Sequence, residues 1–208
     1  MIPFHPILKP FTGLEPTRCT THNNIMTTFH YFAYGSNLLP HRLQRRCESA
    51  RLVGVAEVRD YSLDFSKRSN DRSGKATIFK QNNAKVIGAI FEIKKTEQST
   101  LDGHESLGSG YERDDNFEVM LTQAQQAVQC STYIAPHEHR DYCLDPYDWY
   151  LGLVIAGARL HAFPEKSITR LKNQTFTPDP RLARQSRHEA IGILSEAGYP
   201  LKNILNDK

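Results

Sequence analysis

The order in which the hydrophobic period changes along this chain limits its fold more than any single motif does. From Phe29 to about residue 135 the apolar residues come in strand-length, roughly alternating runs, and from Pro146 onward they recur at helical spacing. HYFAYG at 30–35 reads as an aromatic-rich strand. NLLPHRLQRRC at 37–47 reads as a short helix that tolerates Pro40 in its first turn, where the missing N–H has no partner to lose. ARLVGVAEVRDYSLDFS at 50–66 predicts one long or bent strand, and KATIFK and KVIGAIFEI flank QNNA at 81–84 as a predicted hairpin. A helix is expected from near Thr96, its cap, to the flexible GSG at 108–110. NFEVML and AVQCSTYIA form another strand pair, joined through TQAQQ. Three helices follow, in PYDWYLGLVIAGARLHAF, PEKSITRLKN and RLARQSRHEAIGILSEAG. Strands first and helices afterwards predict an α+β fold rather than a parallel doubly wound sheet.

The organisation is one domain with two different ends. Residues 1–25 hold four prolines and no sustained period, so they read as an irregular N-terminal extension, and prolines that interrupt any apolar stretch argue against a secretory signal. Residues 26–176 form the domain, and 177–208 a C-terminal helical tail packed on it or extending it. A formal net charge of +3 over 208 residues is too small to point to nucleic acid, and no uncharged apolar run is long enough for a membrane span. The four cysteines, Cys19, Cys47, Cys130 and Cys143, contain no CxxC pair, which disfavours structural zinc and fits reduced thiols in a cytoplasmic protein.

Two short stretches carry chemistry. In YFAYGSNL at 31–38, a Gly-Ser-Asn corner between strand and helix lets successive backbone N–H groups converge on a carboxylate or oxyanion. The ordinary use of those residues is a plain turn with an N-cap. In LDGHESLGSGYER at 101–113, Asp102, His104 and Glu105 end a short helix ahead of a glycine-rich loop and Tyr111, and HES does not extend to the zinc-binding HExxH.

Together these segments resemble the γ-glutamylcyclotransferase family: YFAYGSNL is similar to its Y-G-S-N loop, and LDGHES to its L-D-x-x-E-G segment. The similarity runs from Tyr31 to about Leu171 and includes WYLGLVIAGARLHAFPEKSITRLK. Ser106 departs from it, standing where the family usually has glycine. The resemblance implies a mixed, mostly antiparallel sheet or small barrel with flanking helices. It also implies catalysis without cofactor or metal, with Glu105 as the general acid/base. Tyr31, Phe32, Ala33, Tyr34, Gly35, Ser36, Asn37, Tyr111 and Tyr150 are the expected substrate contacts. The partner would be a small γ-glutamyl molecule, and the protein a monomer or homodimer.

In that reaction the substrate's α-amine attacks its own γ-carbonyl, releasing 5-oxoproline and a free amine. An exposed glutamate is a poor proton acceptor, so Glu105 is expected to be partly buried. Alternation places residues 31, 33 and 35 on one strand face and 32 and 34 on the other, so both tyrosines reach one pocket only if the strand bends. Two other readings exist: a catalytically silent binding module of the same fold, and a nucleic-acid face made of Arg181, Arg184 and His188.

Overall fold

The computed structural model describes residues 27–206, and the expected irregular extension, Met26 and Cys19 lie outside them. Five strands, β1 (Thr28–Ala33), β2 (Arg51–Arg68), β3 (Gly74–Lys94), β4 (Glu112–Leu121) and β5 (Gln126–Ile134), close into a barrel in the order β1-β3-β2-β4-β5. All pairings are antiparallel except β1 with β5, which meet in parallel at Tyr31 and Ser131 and complete the ring. Phe32 of β1 stacks on Phe117 of β4, with 5.9 Å between ring centroids, and Tyr61 of β2 meets Phe117 edge-on at 5.2 Å. β1 and β4 do not pair, so Phe32 and Phe117 meet across the barrel, whereas Tyr61 reaches Phe117 from the neighbouring strand.

The hairpin expected at QNNA is replaced by a kink. β3 runs unbroken through residues 81–84 and pairs with β2 on both sides of them. At the irregularity Asp60 and Asn83 take φ of 59° and 60°, and the Asn83 N–H donates to Asp60 Oδ1 at 3.0 Å. Asn and Asp tolerate this left-handed conformation better than most residues, so a turn-like sequence can bend a long strand without ending it. The reversal lies between β2 and β3, where Ser69 N–H donates to the Ser73 carbonyl at 3.1 Å and the Asp71 carboxylate accepts from Ser73 N–H and Oγ.

The helices are α1 (Pro40–Gln44), α2 (Gln98–Glu105), α3 (Asp148–Leu160), α4 (Glu165–Lys172), α5 (Gln185–Glu196) and α6 (Leu201–Asn206), the last without a counterpart in the sequence reading. Thr96 is not the cap of α2: a 3-10 turn, Lys95–Glu97, precedes the helix, and Glu97 spends its carboxylate on the Ser49 N–H and hydroxyl. In α3 every residue from Trp149 to Ala158 is buried, the mark of a helix inside the core rather than on it. Ala190, Ile193 and Leu194 of α5 and Ile204 of α6 join the same core.

α3 also sets the position of the chain after β1. A Cβ on Gly157 would lie 2.5 Å from Leu38 Cβ and 2.7 Å from the Leu39 nitrogen, so only glycine lets the helix pass this close to the 3-10 turn Ser36–Leu38. Burial pushes the His161 pKa down, and the neutral ring, protonated on Nε2, donates to the Leu38 carbonyl at 2.7 Å. The turn is thereby clamped from beneath by α3.

Candidate active site

β1 stops at Ala33, and the chain bends through Tyr34 and Gly35 into the 3-10 turn. That early stop answers the alternation problem, because Tyr34 is no longer bound to a strand's side-to-side pattern. Tyr31 and Tyr34 both line a recess of about 30 Å³, shared with Gly35, Ser36, Asn37, Ala76, Glu105, Tyr111, Tyr133 and Tyr150. Phe32 and Ala33, expected at the substrate, are fully buried and line no cavity of the site. Phe32 is turned into the barrel by the strict two-residue period of β1, and Ala33 is packed at its end. Gly35 sits where a Cβ would be 3.1 Å from Ala76 Cβ and 3.3 Å from the Tyr150 hydroxyl. The backbone N–H groups of Gly35, Ser36 and Asn37 donate to no acceptor among the described residues, as an anion-binding corner requires.

α2 delivers Glu105 to this corner. Leu101 is fully buried, and the Asp102 carboxylate accepts two hydrogen bonds of 2.7 Å from Arg113 of β4 and one of 2.7 Å from the Tyr133 hydroxyl of β5. The helix is thus pinned one turn before its functional end. The Glu105 side chain is 14% exposed, and its Oε1 accepts from Asn37 Nδ2 at 2.8 Å and from Arg46 Nη1 at 2.9 Å. Arg46 Nη1 also donates to Asn37 Oδ1 at 3.0 Å, so the three side chains form a closed set. Oε2 has no partner among the described residues.

Ser106, immediately after α2, has φ 55° and ψ 50°, and the next N–H, of Leu107, returns to the Asp102 carbonyl at 3.0 Å. This is the left-handed helix end at which glycine is favoured, which explains why serine here is a departure. Ser106→Gly should raise stability by about 0.5–1 kcal/mol, the relief of a left-handed side chain less the extra freedom glycine has when unfolded. Urea unfolding measures it, with activity unchanged.

The tyrosines present neutral hydroxyls. Burial raises the pKa of Tyr31, Tyr34, Tyr111, Tyr133 and Tyr150 alike. Tyr34 donates to the Tyr133 carbonyl, and Tyr111 to the Ala76 carbonyl at 2.6 Å. Tyr150 accepts from the Ala76 N–H at 3.1 Å and is also hydrogen-bonded with the Ser36 side chain, whereas Tyr31 accepts from Asn37 Nδ2 at 3.1 Å, which leaves the Tyr31 proton available to a guest. The recess opens into an outer cavity of about 280 Å³ that Glu105, Ser36, Tyr111 and Tyr150 also line, with Arg42, Arg46, Lys67, Lys75, Asp71, His104 and Trp149 around it.

Comparison with known proteins settles the family. A family model described as the AIG2-like family matches residues 85–171. The gamma-glutamylcyclotransferase of Mus musculus is 31% identical over 150 residues, spanning 70% of this chain and 78% of the mouse protein, and its Homo sapiens namesake gives the same figures. The chain belongs to the γ-glutamylcyclotransferase family. A solved structure named gamma-glutamyl cyclotransferase superposes with a TM-score of 0.71 at 27% identity, covering 78% of this chain and 97% of that one. The closed barrel with flanking helices is the γ-glutamylcyclotransferase-like fold.

For a γ-glutamylcyclotransferase relative, the residues that sequence reasoning missed are as informative as those it found. Arg46 lies in the QRRC run just after α1, and nothing local distinguishes it from the exposed Arg45, which pairs with Glu196 at 2.7 Å. Ala76 enters only through its backbone, and Tyr133 and Lys67 through strands whose facing is set by the closed barrel. Of the three residues suggested as a nucleic-acid face, Arg184 is bound to Asp179 at 2.7 Å.

Proposed function

We propose that this protein is a γ-glutamylcyclotransferase in which Glu105 is the general acid/base. The observation that carries the reading is the Glu105 carboxylate, fixed through Oε1 by Asn37 and Arg46 and facing a row of unpartnered N–H groups across one recess. Holding one oxygen fixes the plane of the carboxylate and leaves Oε2 for the substrate. The α-amino group of a γ-glutamyl compound has a pKa of roughly 7.7–8.0 and reaches neutral solution largely as the ammonium. Oε2 takes one of its protons, the freed nitrogen attacks the γ-carbonyl carbon, and the ring closes. Glu105 returns that proton to the departing nitrogen, whose bond to the γ-carbon breaks. The ring nitrogen's second proton then leaves through the same carboxylate to the released amine, giving the neutral lactam and an ammonium. Nucleophile and electrophile share one molecule, so bending the substrate supplies much of the rate, with effective molarities of about 10⁵ M or more in well-oriented cases.

The N–H groups of Gly35, Ser36 and Asn37 would hold the substrate's carboxylate or the oxyanion formed at the γ-carbon. The neutral Tyr31 hydroxyl completes the recess as a donor, with Tyr150 beside it. Amino-acid-derived γ-glutamyl dipeptides are the expected substrates, ahead of intact glutathione. Free Cys47, Cys130 and Cys143 support a reducing, cytoplasmic setting, and the reaction class implies a place in glutathione-linked metabolism. The silent-module alternative is disfavoured by the complete set of partners around Glu105. The test is 5-oxoproline release from γ-glutamyl-alanine, γ-glutamyl-ε-lysine and glutathione. Turnover with γ-glutamyl-alanine foremost is expected, and failure of all of them would remove the reading.

A further inference from the structure

The outer cavity carries more positive charge than its own acids balance. Of its cations, Arg46 is paired with Glu105 at 2.9 Å, and Lys75 with Asp71 at 2.8 Å. Arg42 and Lys67 have no carboxylate partner among the described residues. Arg42 is engaged only through Nε, which donates to Ser36 Oγ at 3.1 Å. Lys67 is 7% exposed, and its Nζ lies 4.8 Å from the centre of the Tyr111 ring. A Cβ on Gly110 would meet Lys67 Nζ at 2.8 Å, so the bare glycine is what leaves room for the ammonium. A lysine held this far from water with no carboxylate in direct contact is unfavourable in the empty site: burial lowers its pKa, against the weaker pull of the Glu105 and Asp71 carboxylates, which are paired with Arg46 and Lys75. An arriving carboxylate relieves that cost.

The location says which carboxylate. Lys67 and Arg42 line the outer cavity and not the recess, whereas Glu105 lines both and stands at the junction. A recess of about 30 Å³ has room for the tip of the γ-glutamyl head and no more. What departs must therefore lie in the outer cavity, among the unpaired cations.

We propose that Lys67, assisted by Arg42, recognises a carboxylate on the departing amine, making the protein selective for γ-glutamyl α-amino acids over γ-glutamyl amines that lack one. The inference rests on the cyclotransferase reading and adds the specificity element to it. Lys67 is a specificity residue here, since it takes no part in moving protons.

The test compares γ-glutamyl-alanine with γ-glutamyl-ethylamide, which has the same head and a neutral leaving group, in the wild-type protein and in Lys67→Met and Lys67→Arg. The wild type should favour the alanine peptide by about tenfold or more in kcat/KM, through KM, with the preference shrinking as salt screens the charge. Lys67→Met should lower kcat/KM for the alanine peptide about tenfold and change the ethylamide less than about twofold, while Lys67→Arg restores the preference. Equal turnover of the two compounds by the wild type, or an equal loss on both in Lys67→Met, would show that the cations read the shared head and would overturn the inference alone. If Lys67→Met does not fold, the wild-type preference and its salt dependence decide. No 5-oxoproline from either compound with the wild type would remove the cyclotransferase reading, and this inference with it.

Discussion

Glu105→Gln should lower 5-oxoproline release by about 10²- to 10⁴-fold, the range that loss of a positioned general acid/base gives. The amide has nearly the same shape, and its carbonyl oxygen can still accept from Asn37 Nδ2 and Arg46 Nη1, the two donors that Oε1 holds in the wild type. Ground-state binding and the fold should therefore persist, with the loss falling on kcat rather than KM. Steady-state kinetics on γ-glutamyl-alanine, beside thermal unfolding of both proteins, separates the outcomes. A variant that keeps wild-type turnover would exclude Glu105 as the base. One that loses turnover only because it unfolds would reassign the residue to holding Arg46 in place, an ion pair whose two side chains are just 16% and 14% exposed.

The largest effect on stability should come from a residue with no role in the chemistry. Asp179→Ala is expected to cost about 3–5 kcal/mol, the usual penalty for removing one partner of a buried ion pair and stranding the other. Asp179 is 2% exposed and ties the C-terminal segment to the start of α3: Oδ2 accepts from Trp149 Nε1 at 2.9 Å and Arg184 Nε at 2.7 Å, and Oδ1 from the Arg181 N–H at 2.9 Å. Without it the indole N–H and the guanidinium lose their acceptors together. Urea unfolding reads the change, and a loss below about 1 kcal/mol would mean that water replaces the carboxylate. The pH dependence gives a second reading. Burial by itself would raise this carboxyl's pKa, but Arg184, the Arg181 N–H and Trp149 overcome burial and hold it at about 2. The unfolded chain, with an ordinary aspartate, binds more protons between about 2 and 4, so stability contributed by Asp179 is complete above about pH 4 and lost as pH falls through that window. Asp179→Asn should make the acid-side decline shallower.

Much of this molecule follows from local sequence. Strand-length runs before residue 135 and helical spacing after Pro146 dictate an α+β fold, because period-2 and period-3.6 patterns each bury one face only in their own secondary structure. The Gly35-Ser36-Asn37 corner and the Glu105 helix end are also visible in the chain itself, as short motifs whose backbone or carboxylate chemistry does not depend on distant residues. What the tertiary structure decided is everything that depends on where a strand stops and what lies opposite it. Tyr34 reaches the recess only because β1 ends at Ala33, and QNNA is a kink because β2 pairs with β3 on both sides of it. Phe32 is turned away from the recess by the side-to-side period of β1, and Ala33, on the same face as Tyr31, is packed at the strand's end with a side chain too short to reach it. Asn37 and Glu105 are 68 residues apart in sequence, and Arg46 joins them through α1, whereas Lys67 is set over Tyr111 by the end of β2. Pairing of residues so distant in the chain is paid for by burial of the whole core, and no local pattern of charge or hydrophobicity encodes which two will meet.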